Sequence, residues 1–302
     1  MNTSPPAIKN RLLTIAQETG HPYNYVLERY TQERLLYRIS RGPHAGRFLL
    51  KGGLLLTAIT DQFSRATHDI DFSADGSPEP EAMRRLVVEA IATDVEADGL
   101  VYESNGTTAR AIKEQDEYNG VRLSVPGTFG AQRFSVQIDI GIGDKVVLPI
   151  AQFEYPTLID GLPHPRMRTY SIESVIAEKL EAIASIGEIN GRYKDFDDIV
   201  QLSRRRGFRA SALYLACAIT FETRDTRFES LAAMIAPPVA TAERERHWQA
   251  YVRREHAATD VTTFGNLLAE LANFVSGVLA YASDGIQRTW NSERRSWSED
   301  IP

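Results

Sequence analysis

Apolar and polar residues follow different periodicities in the two halves of the chain. Two stretches near the N-terminus repeat apolar residues at helical spacing, from Ser4 to Gly20 and from Pro22 to Ser40. Between residues 100 and 140, four short stretches favour strands, and residues 133–140 alternate strictly between apolar and polar side chains. After about residue 165 the spacing is helical again. The pattern predicts an α+β protein with its sheet in the first half.

The stretch DGLPHPR, at residues 160–166, marks the change of pattern. We predict a bilobed molecule: residues 1–165 form an α/β domain with a mixed sheet and N-terminal helices, and residues 166–302 form an all-helical domain. The C-terminal stretch RTWNSERRSWSEDIP is mostly polar and is predicted to be loosely ordered.

The composition narrows the class of protein. The 302 residues carry a net charge of −6, which excludes a uniformly basic nucleic-acid binder but leaves room for a local basic face. A single cysteine excludes an internal disulfide. No apolar run approaches the ~20 residues of a membrane span, and the N-terminus lacks the apolar region of a signal peptide. We therefore expect a cytoplasmic protein without a membrane partner.

The segment FLLKGGLLLTAITDQFSRATHDIDF, at residues 48–72, contains the first candidate site. Residues 48–50 predict a short strand, the Lys-Gly-Gly sequence at residues 51–53 predicts a turn, and the leucines after it predict a helix. Residues 69–72 predict another strand. Its period-two alternation places Asp69 and Asp71 on one face and the apolar residues on the other.

Carboxylates on one face of a strand are suited to Mg²⁺, which prefers oxygen ligands and often shares them with substrate phosphates. Asp139, on the polar face of the strand at residues 133–140, is placed to supply a third carboxylate. The backbone N–H groups of Gly52 and Gly53, with the charge of Lys51 beside them, are suited to phosphates. These are the components that nucleotidyl transfer requires.

Each component also has a simpler explanation. A Gly-Gly pair is often only a turn, and a strand that ends in Asp-x-Asp is often solvated. The order in which the turn, the paired carboxylates and the later aspartate follow one another favours a site. Arg65 and Thr67 precede the carboxylates and are candidates for nucleotide contact. Alternatively, Arg65 pairs with Asp71, and Thr67 caps a turn.

The pattern KGG-(x)n-R-x-T-x-D-I-D-F resembles the signature of the AbiEii/MenT group of nucleotidyltransferase toxins, within the DNA polymerase β-like superfamily. Two later stretches are similar to further motifs of that group: EKLEA at residues 178–182 and RYKDFDDI at residues 192–199. The resemblance covers about residues 45–205, and no motif is recognised beyond them.

The resemblance implies roles for individual residues. Asp69 and Asp71 correspond to the metal-binding pair, and Gly52 and Gly53 to the phosphate-binding turn. The resemblance also implies a second group in the helical domain, completing the active-site cleft: Lys179 as the lysine that contacts the nucleotide phosphates, Lys194 as a further nucleotide contact, and Asp195 as the acidic residue that orients the lysine or a hydroxyl nucleophile.

The function implied by the resemblance is Mg²⁺-dependent transfer of NMP from an NTP to an acceptor hydroxyl, with release of pyrophosphate. In the MenT branch the acceptor is the 3′ end of tRNA, and the implied partners are tRNA and a cognate antitoxin; we expect a monomer. Two alternatives stay open: nucleotide transfer to a small molecule such as an antibiotic, and a non-catalytic protein that uses the same fold for binding. The intact acidic and lysine motifs argue against the second alternative.

Overall fold

The computed structural model describes residues 3–60, 67–76, 79–114, 118–143, 151–186, 192–236, 241–255 and 261–299. The chain divides into two compact units. The first comprises Met1–Ala58, Ala66–Asp144 and Ile150–Thr169, and the second comprises Ile59–Arg65, Lys145–Pro149 and Tyr170–Pro302.

The first unit combines helices with a large sheet. Its helices are α1 (Pro5–Thr19), α2 (Tyr23–Arg41), α3 (Gly52–Thr60) and α4 (Pro80–Ile91). Its strands are β1 (Phe48–Lys51), β2 (Asp69–Ala74), β3 (Leu100–Tyr102), β4 (Thr108–Glu114), β5 (Tyr118–Phe129), β6 (Gln132–Ile142), β7 (Ala151–Glu154) and β8 (Arg166–Thr169).

The sheet has the strand order β3-β5-β6-β2-β1-β8-β7, and β4 also pairs with β5. The pairs β1–β8 and β2–β6 are parallel, and the remaining pairs are antiparallel. The sheet is therefore mixed, which confirms the α+β prediction.

Side-chain alternation on the two central strands separates a core face from a polar face. Ile70 and Phe72 of β2 are fully buried, and so are Ile138 and Ile140 of β6. The intervening residues of both strands point to the opposite face, because successive side chains of a strand alternate. The pattern that builds the core thus also sets the aspartates of both strands on one face.

Helix α2 is buried along most of its length, although its sequence is rich in polar residues. Arg38 donates to both carboxylate oxygens of Asp98, at 2.6 and 3.0 Å. Glu33 accepts a hydrogen bond from the backbone N–H of Leu158 at 2.6 Å. Buried charges of this kind are tolerated because they are paired and hydrogen-bonded.

The second unit is mainly helical. Its helices are α5 (Ile172–Ile186), α6 (Tyr193–Ser203), α7 (Ala210–Thr223), α8 (Ser230–Met234), α9 (Ala242–Glu255) and α10 (Phe264–Asp284). It also contains a three-stranded antiparallel sheet in the order β11-β10-β9, which the helical periodicity did not predict: β9 (Phe208–Arg209), β10 (Arg288–Asn291) and β11 (Ser296–Glu299).

The prediction of a loosely ordered C-terminal stretch was wrong for residues 288–299. Strands β10 and β11 form a hairpin in which Trp290 and Trp297 lie opposite each other. The indole N–H of Trp290 donates to the carbonyl of Ser203 at 2.7 Å, and that of Trp297 to the carbonyl of Phe274 at 2.8 Å. Both indoles also contact the Phe274 ring. Two aromatic anchors therefore order a stretch that is otherwise polar.

Among the described residues, every helix is too short or too polar to cross a membrane.

Candidate active site

A row of charged residues crosses four neighbouring strands of the first unit. Lys51 of β1 lies opposite Asp71 of β2, Asp71 lies opposite Asp139 of β6, and Asp139 lies opposite Arg122 of β5. Residues directly opposite each other on paired strands share a face. With Asp69, these four residues form what we call the sheet cluster.

Asp69 joins the cluster because it lies two residues before Asp71 on the same strand, and so on the same face. Its strand partner is Gln137, whose side-chain amide donates to Asp69 Oδ1 at 2.6 Å. The amide fixes one carboxylate oxygen of Asp69 at the polar face of the sheet.

The glycine turn is built around Asp71. Gly52 has φ +64°, a conformation that side chains with a Cβ rarely adopt. A Cβ at Gly52 would lie 2.0 Å from Asp71 Oδ2. The backbone N–H of Gly53, in the first turn of α3, donates to the same oxygen at 3.3 Å. Both glycines of the predicted phosphate-binding turn are therefore positioned against a predicted metal ligand.

The electrostatic surroundings of Asp71 favour a nearby cation. Burial raises the pKa of Asp71 to about 6, and the charges of Asp139 and Asp69 act in the same direction. Lys51 and the N–H of Gly53 oppose the shift. A buried carboxylate beside two others is hard to ionise, and a nearby cation stabilises its ionised form.

Asp139 is already paired in the structure. Arg122 Nε donates to Asp139 Oδ1 at 2.8 Å, and Arg122 Nη2 donates to Asp139 Oδ2 at 2.6 Å. The side chains are 30% and 19% exposed, so the pair is partly open to solvent. Both oxygens of the predicted third metal ligand are thus occupied by a guanidinium.

The donor set suits an oxygen-preferring cation such as Mg²⁺ at Asp69 and Asp71. Asp139, the predicted third ligand, is paired with Arg122 in this conformation. Across the part of the chain that the structure describes, no three carboxylate, imidazole or thiol groups are arranged to hold a metal ion.

The remaining predicted residues near the turn differ in position. Thr67 is 5% exposed, and its buried hydroxyl has no hydrogen-bond partner among the residues that the structure describes. Its carbonyl accepts from the side-chain amide of Gln32 at 2.9 Å, so α2 anchors the chain just before the carboxylates. Arg65 lies outside the described residues.

In the second unit, a group of charges surrounds the buried Lys179 of α5, and Arg192 is its one exposed member. Lys179 Nζ donates to Asp195 Oδ1 at 2.6 Å and lies 2.7 Å from Asp198 Oδ2. Arg192 contacts the other oxygen of Asp195. Asp195 and Asp198 lie three residues apart on α6, and so on one face of that helix. These four residues form what we call the helix cluster.

The helix cluster keeps Asp195 ionised. Burial alone would raise its pKa, but the charges of Lys179 and Arg192 outweigh burial and hold the pKa at about 2. Lys194, the other predicted nucleotide contact, lies half-buried on the same helix. In the second unit the structure therefore brings together two of the predicted residues, Lys179 and Asp195.

Sequence reasoning missed Arg122, Gln137 and Asp198 as members of these clusters. A signal was present for Asp198, which follows Asp195 at helical spacing within the RYKDFDDI motif. A signal was also present for Arg122, which lies between Val121 and Leu123 on a strand whose apolar residues alternate. Its pairing with Asp139 depends on strand register, which the alternation alone does not give.

A charged sheet face beside a glycine turn, in an α+β chain with these motifs, is the arrangement of a nucleotidyltransferase. The chain belongs to the AbiEii nucleotidyl transferase toxin family: the family's profile, described as "Nucleotidyl transferase AbiEii toxin, Type IV TA system", matches residues 34–270. The predicted family is confirmed, and with it the assignment to nucleotidyltransferases. Membership implies an NTP substrate and a cognate antitoxin.

The comparison with solved structures gives one match that supports this fold. MenT4, a nucleotidyltransferase toxin from Mycobacterium tuberculosis H37Rv, aligns with a TM-score of 0.50 and 19% identity over 92% of this chain and 99% of its own. A protein from H. pylori aligns with a TM-score of 0.40 and 13% identity, over 82% of this chain and 91% of its own. A comparison with curated proteins gives no match.

Proposed function

We propose that the protein is a Mg²⁺-dependent nucleotidyltransferase toxin that transfers NMP from an NTP to the 3′ end of tRNA in the cytoplasm, acting as a monomer. The observation that carries the proposal is the sheet cluster. Asp69 and Asp71 share one face of a strand, and Asp71 is in direct contact with the glycine turn. Transfer between phosphates and hydroxyls depends on such positioning and charge rather than on covalent work by the protein.

Asp69 and Asp71 would hold the Mg²⁺. The bound ion would supply positive charge to the triphosphate and to the leaving pyrophosphate. Gln137 orients Asp69, and the N–H of Gly53 orients Asp71, so neither carboxylate has to be ordered when the substrate arrives.

Lys51 and the start of α3 would bind the phosphates of the NTP. Lys51 is half-buried at the end of β1, directly before the turn. The N–H groups at a helix N-terminus favour negative charge. Gly52 lets the backbone approach closely where any side chain would collide with Asp71.

Lys179 of the helix cluster would contact the nucleotide phosphates, as the family resemblance implies. Lys179 is fixed by Asp195 and Asp198, so its ammonium has a defined position. A fixed charge directed at a phosphate stabilises the transition state without reorganisation at the moment of reaction. In this proposal Asp195 acts through Lys179 and is a positioning residue.

The proposal is tested by incubating the purified protein with each α-labelled NTP, total tRNA and Mg²⁺. We expect label from one or two of the NTPs to enter tRNA, and we expect Asp69→Asn or a chelator to abolish it. Asp75→Asn, an exposed carboxylate just beyond the end of β2, is the matched control and should keep full transfer. In a parallel reaction, an antibiotic with free hydroxyl groups replaces tRNA. Label that enters the antibiotic and not tRNA would favour the antibiotic-type alternative, and wild-type transfer by Asp69→Asn would contradict the metal assignment.

A further inference from the structure

We propose that Arg122 is an exchangeable counter-ion, which holds Asp139 in the nucleotide-free protein and binds the triphosphate once NTP arrives. The inference rests on the proposed function and adds a residue to it. It starts from the finding that both oxygens of Asp139 accept hydrogen bonds from Arg122. The guanidinium occupies one lone pair of each oxygen and repels a cation that approaches them.

The exposure of the Arg122–Asp139 pair indicates that the two side chains can separate. Arg38 and Asp98 form the same bidentate pair within the same unit, but their side chains are only 8% and 2% exposed. Opening that pair would separate the buried guanidinium of Arg38 from its carboxylate, which is costly. Arg122 and Asp139 are 30% and 19% exposed, so water can solvate either side chain after separation.

The position of Arg122 gives it a second anion to bind. Arg122 lies in the same row as Asp71, on the face that carries the glycine turn. The hydrogen bonds to Asp139 raise the pKa of Arg122, and so do the charges of Asp139, Asp69 and Asp71. A guanidinium binds phosphate oxygens through two parallel N–H groups, with the same geometry as its present pair with a carboxylate. Exchange of Asp139 for a phosphate therefore conserves the hydrogen bonds of Arg122.

The charges of the cluster favour this exchange only when substrate is present. Three carboxylates, one lysine and one arginine give the sheet cluster a formal net charge of −1. Without nucleotide, Asp139 is paired with the guanidinium of Arg122. A triphosphate adds several negative charges beside the cluster and competes with Asp139 for the guanidinium. Arg122 would thereby couple release of Asp139 to the arrival of nucleotide.

The first test measures Mn²⁺ binding, as a spectroscopic substitute for Mg²⁺, to the full-length protein without nucleotide. Arg122→Met removes the charge and keeps much of the side-chain volume. We expect it to bind Mn²⁺ about tenfold more tightly than wild type, because a competing cation is gone and Asp139 is released. The double variant Arg122→Met/Asp139→Asn should lose the gain. Arg84→Met is the matched control, since the Arg84 side chain is as exposed as that of Arg122 and also forms a bidentate pair, with Glu81, and its loss should not alter Mn²⁺ affinity.

The second test measures binding of a non-reactive NTP analogue in the presence of Mn²⁺. Arg122→Met should bind the analogue about tenfold more weakly, although it binds the metal more tightly. A purely structural role of Arg122 would not move the two affinities in opposite directions. If Arg122→Met does not fold, Arg122→Lys replaces it: lysine keeps the charge but not the bidentate pair, and should raise Mn²⁺ affinity about threefold.

Unchanged Mn²⁺ affinity in the folded Arg122 variant, alongside wild-type binding that Asp69→Asn abolishes, would overturn this inference and leave the proposed function intact. If neither wild type nor Arg122→Met bound Mn²⁺, both the metal dependence and this inference would be wrong.

Discussion

The sheet cluster and the helix cluster both hold opposite charges close together, but they do so by different structural means. In the sheet cluster, strand register spaces the charges across a partly exposed face, and each carboxylate has its own backbone or side-chain support. In the helix cluster, Lys179, Asp195 and Asp198 are each less than 10% exposed and serve as one another's partners. A charge in the first cluster can be removed alone, whereas a charge in the second cannot.

We therefore expect substitutions in the sheet cluster to change activity without changing the free energy of unfolding. In the helix cluster we expect the same substitutions to change both. Removal of one partner from a buried ion pair leaves an uncompensated charge in a poorly solvated place. Removal of a partly exposed carboxylate leaves groups that water can reach. The same kind of substitution should therefore give different phenotypes in the two clusters.

The largest expected effect comes from Lys179→Ala. It should nearly abolish transfer and also lower the free energy of unfolding by about 3–5 kcal/mol, because two buried carboxylates lose their shared cation. Urea denaturation together with the transfer assay measures both. Lys9→Ala, at an exposed position of α1, should change neither quantity. A Lys179→Ala protein as stable as wild type would break the comparison.

Asp69→Asn tests the other cluster. Transfer should fall about a thousandfold, since loss of metal-centred charge stabilisation is worth several kcal/mol. The free energy of unfolding should stay within about 1 kcal/mol of wild type, because Asp69 is partly exposed and Asn keeps its shape. A large loss of stability here would mean that the two clusters do not differ as described.

Gly52→Ala should fall between these extremes. The positive φ and the collision with Asp71 should cost about 1–2 kcal/mol of stability and displace the carboxylate, which lowers transfer at least tenfold. Gly46→Ala is the control, since a Cβ there meets no atom of the described residues within 4 Å. Equal behaviour of the two alanine variants in both assays would refute the close fit of the turn against Asp71.

Acid should weaken the helix cluster. The pKa of Asp195 is about 2 in the folded protein against an ordinary 3.8, so the unfolded chain binds the proton more tightly. Ionised Asp195 therefore contributes about 2 kcal/mol to the free energy of unfolding above about pH 4. This contribution is lost as the pH falls toward 2. Urea midpoints across this range should drop less steeply for Asp195→Asn than for wild type; parallel curves would contradict the assignment.

The smallest effect concerns a buried cation outside both clusters. Arg244 of α9 is 7% exposed, and its three guanidinium nitrogens have no hydrogen-bond partner among the described residues. It contacts the rings of Phe196 and Phe264. Arg244→Met should stabilise the protein by about 1 kcal/mol, since the lost cation–π contact only partly offsets relief of the buried charge. Arg204→Met, which breaks a paired arginine, should instead destabilise it in the same thermal melt.

Much of the fold was predictable because alternation on β2 and β6 is regular. The same alternation fixed which residues share a face with Asp69 and Asp71. It could not fix how strands align, so the pairing of Arg122 with Asp139 was not foreseen. The partnership of Lys179 with Asp198 depends likewise on how α5 and α6 are rotated against each other, and the hairpin of β10 and β11 depends on two tryptophans seven positions apart in a polar stretch. Local patterns carry no information about such long-range packing.

The tryptophans have a practical consequence for spectroscopy. The chain contains three, Trp248, Trp290 and Trp297, and all of them belong to the second unit. Intrinsic fluorescence excited at the red edge of the aromatic band, where tyrosine does not absorb, therefore reports on that unit alone. The first unit contributes no fluorescence at this excitation, although its tyrosines and peptide groups still contribute to circular dichroism. A single denaturation series recorded with both probes would show whether the two units melt together, without any label.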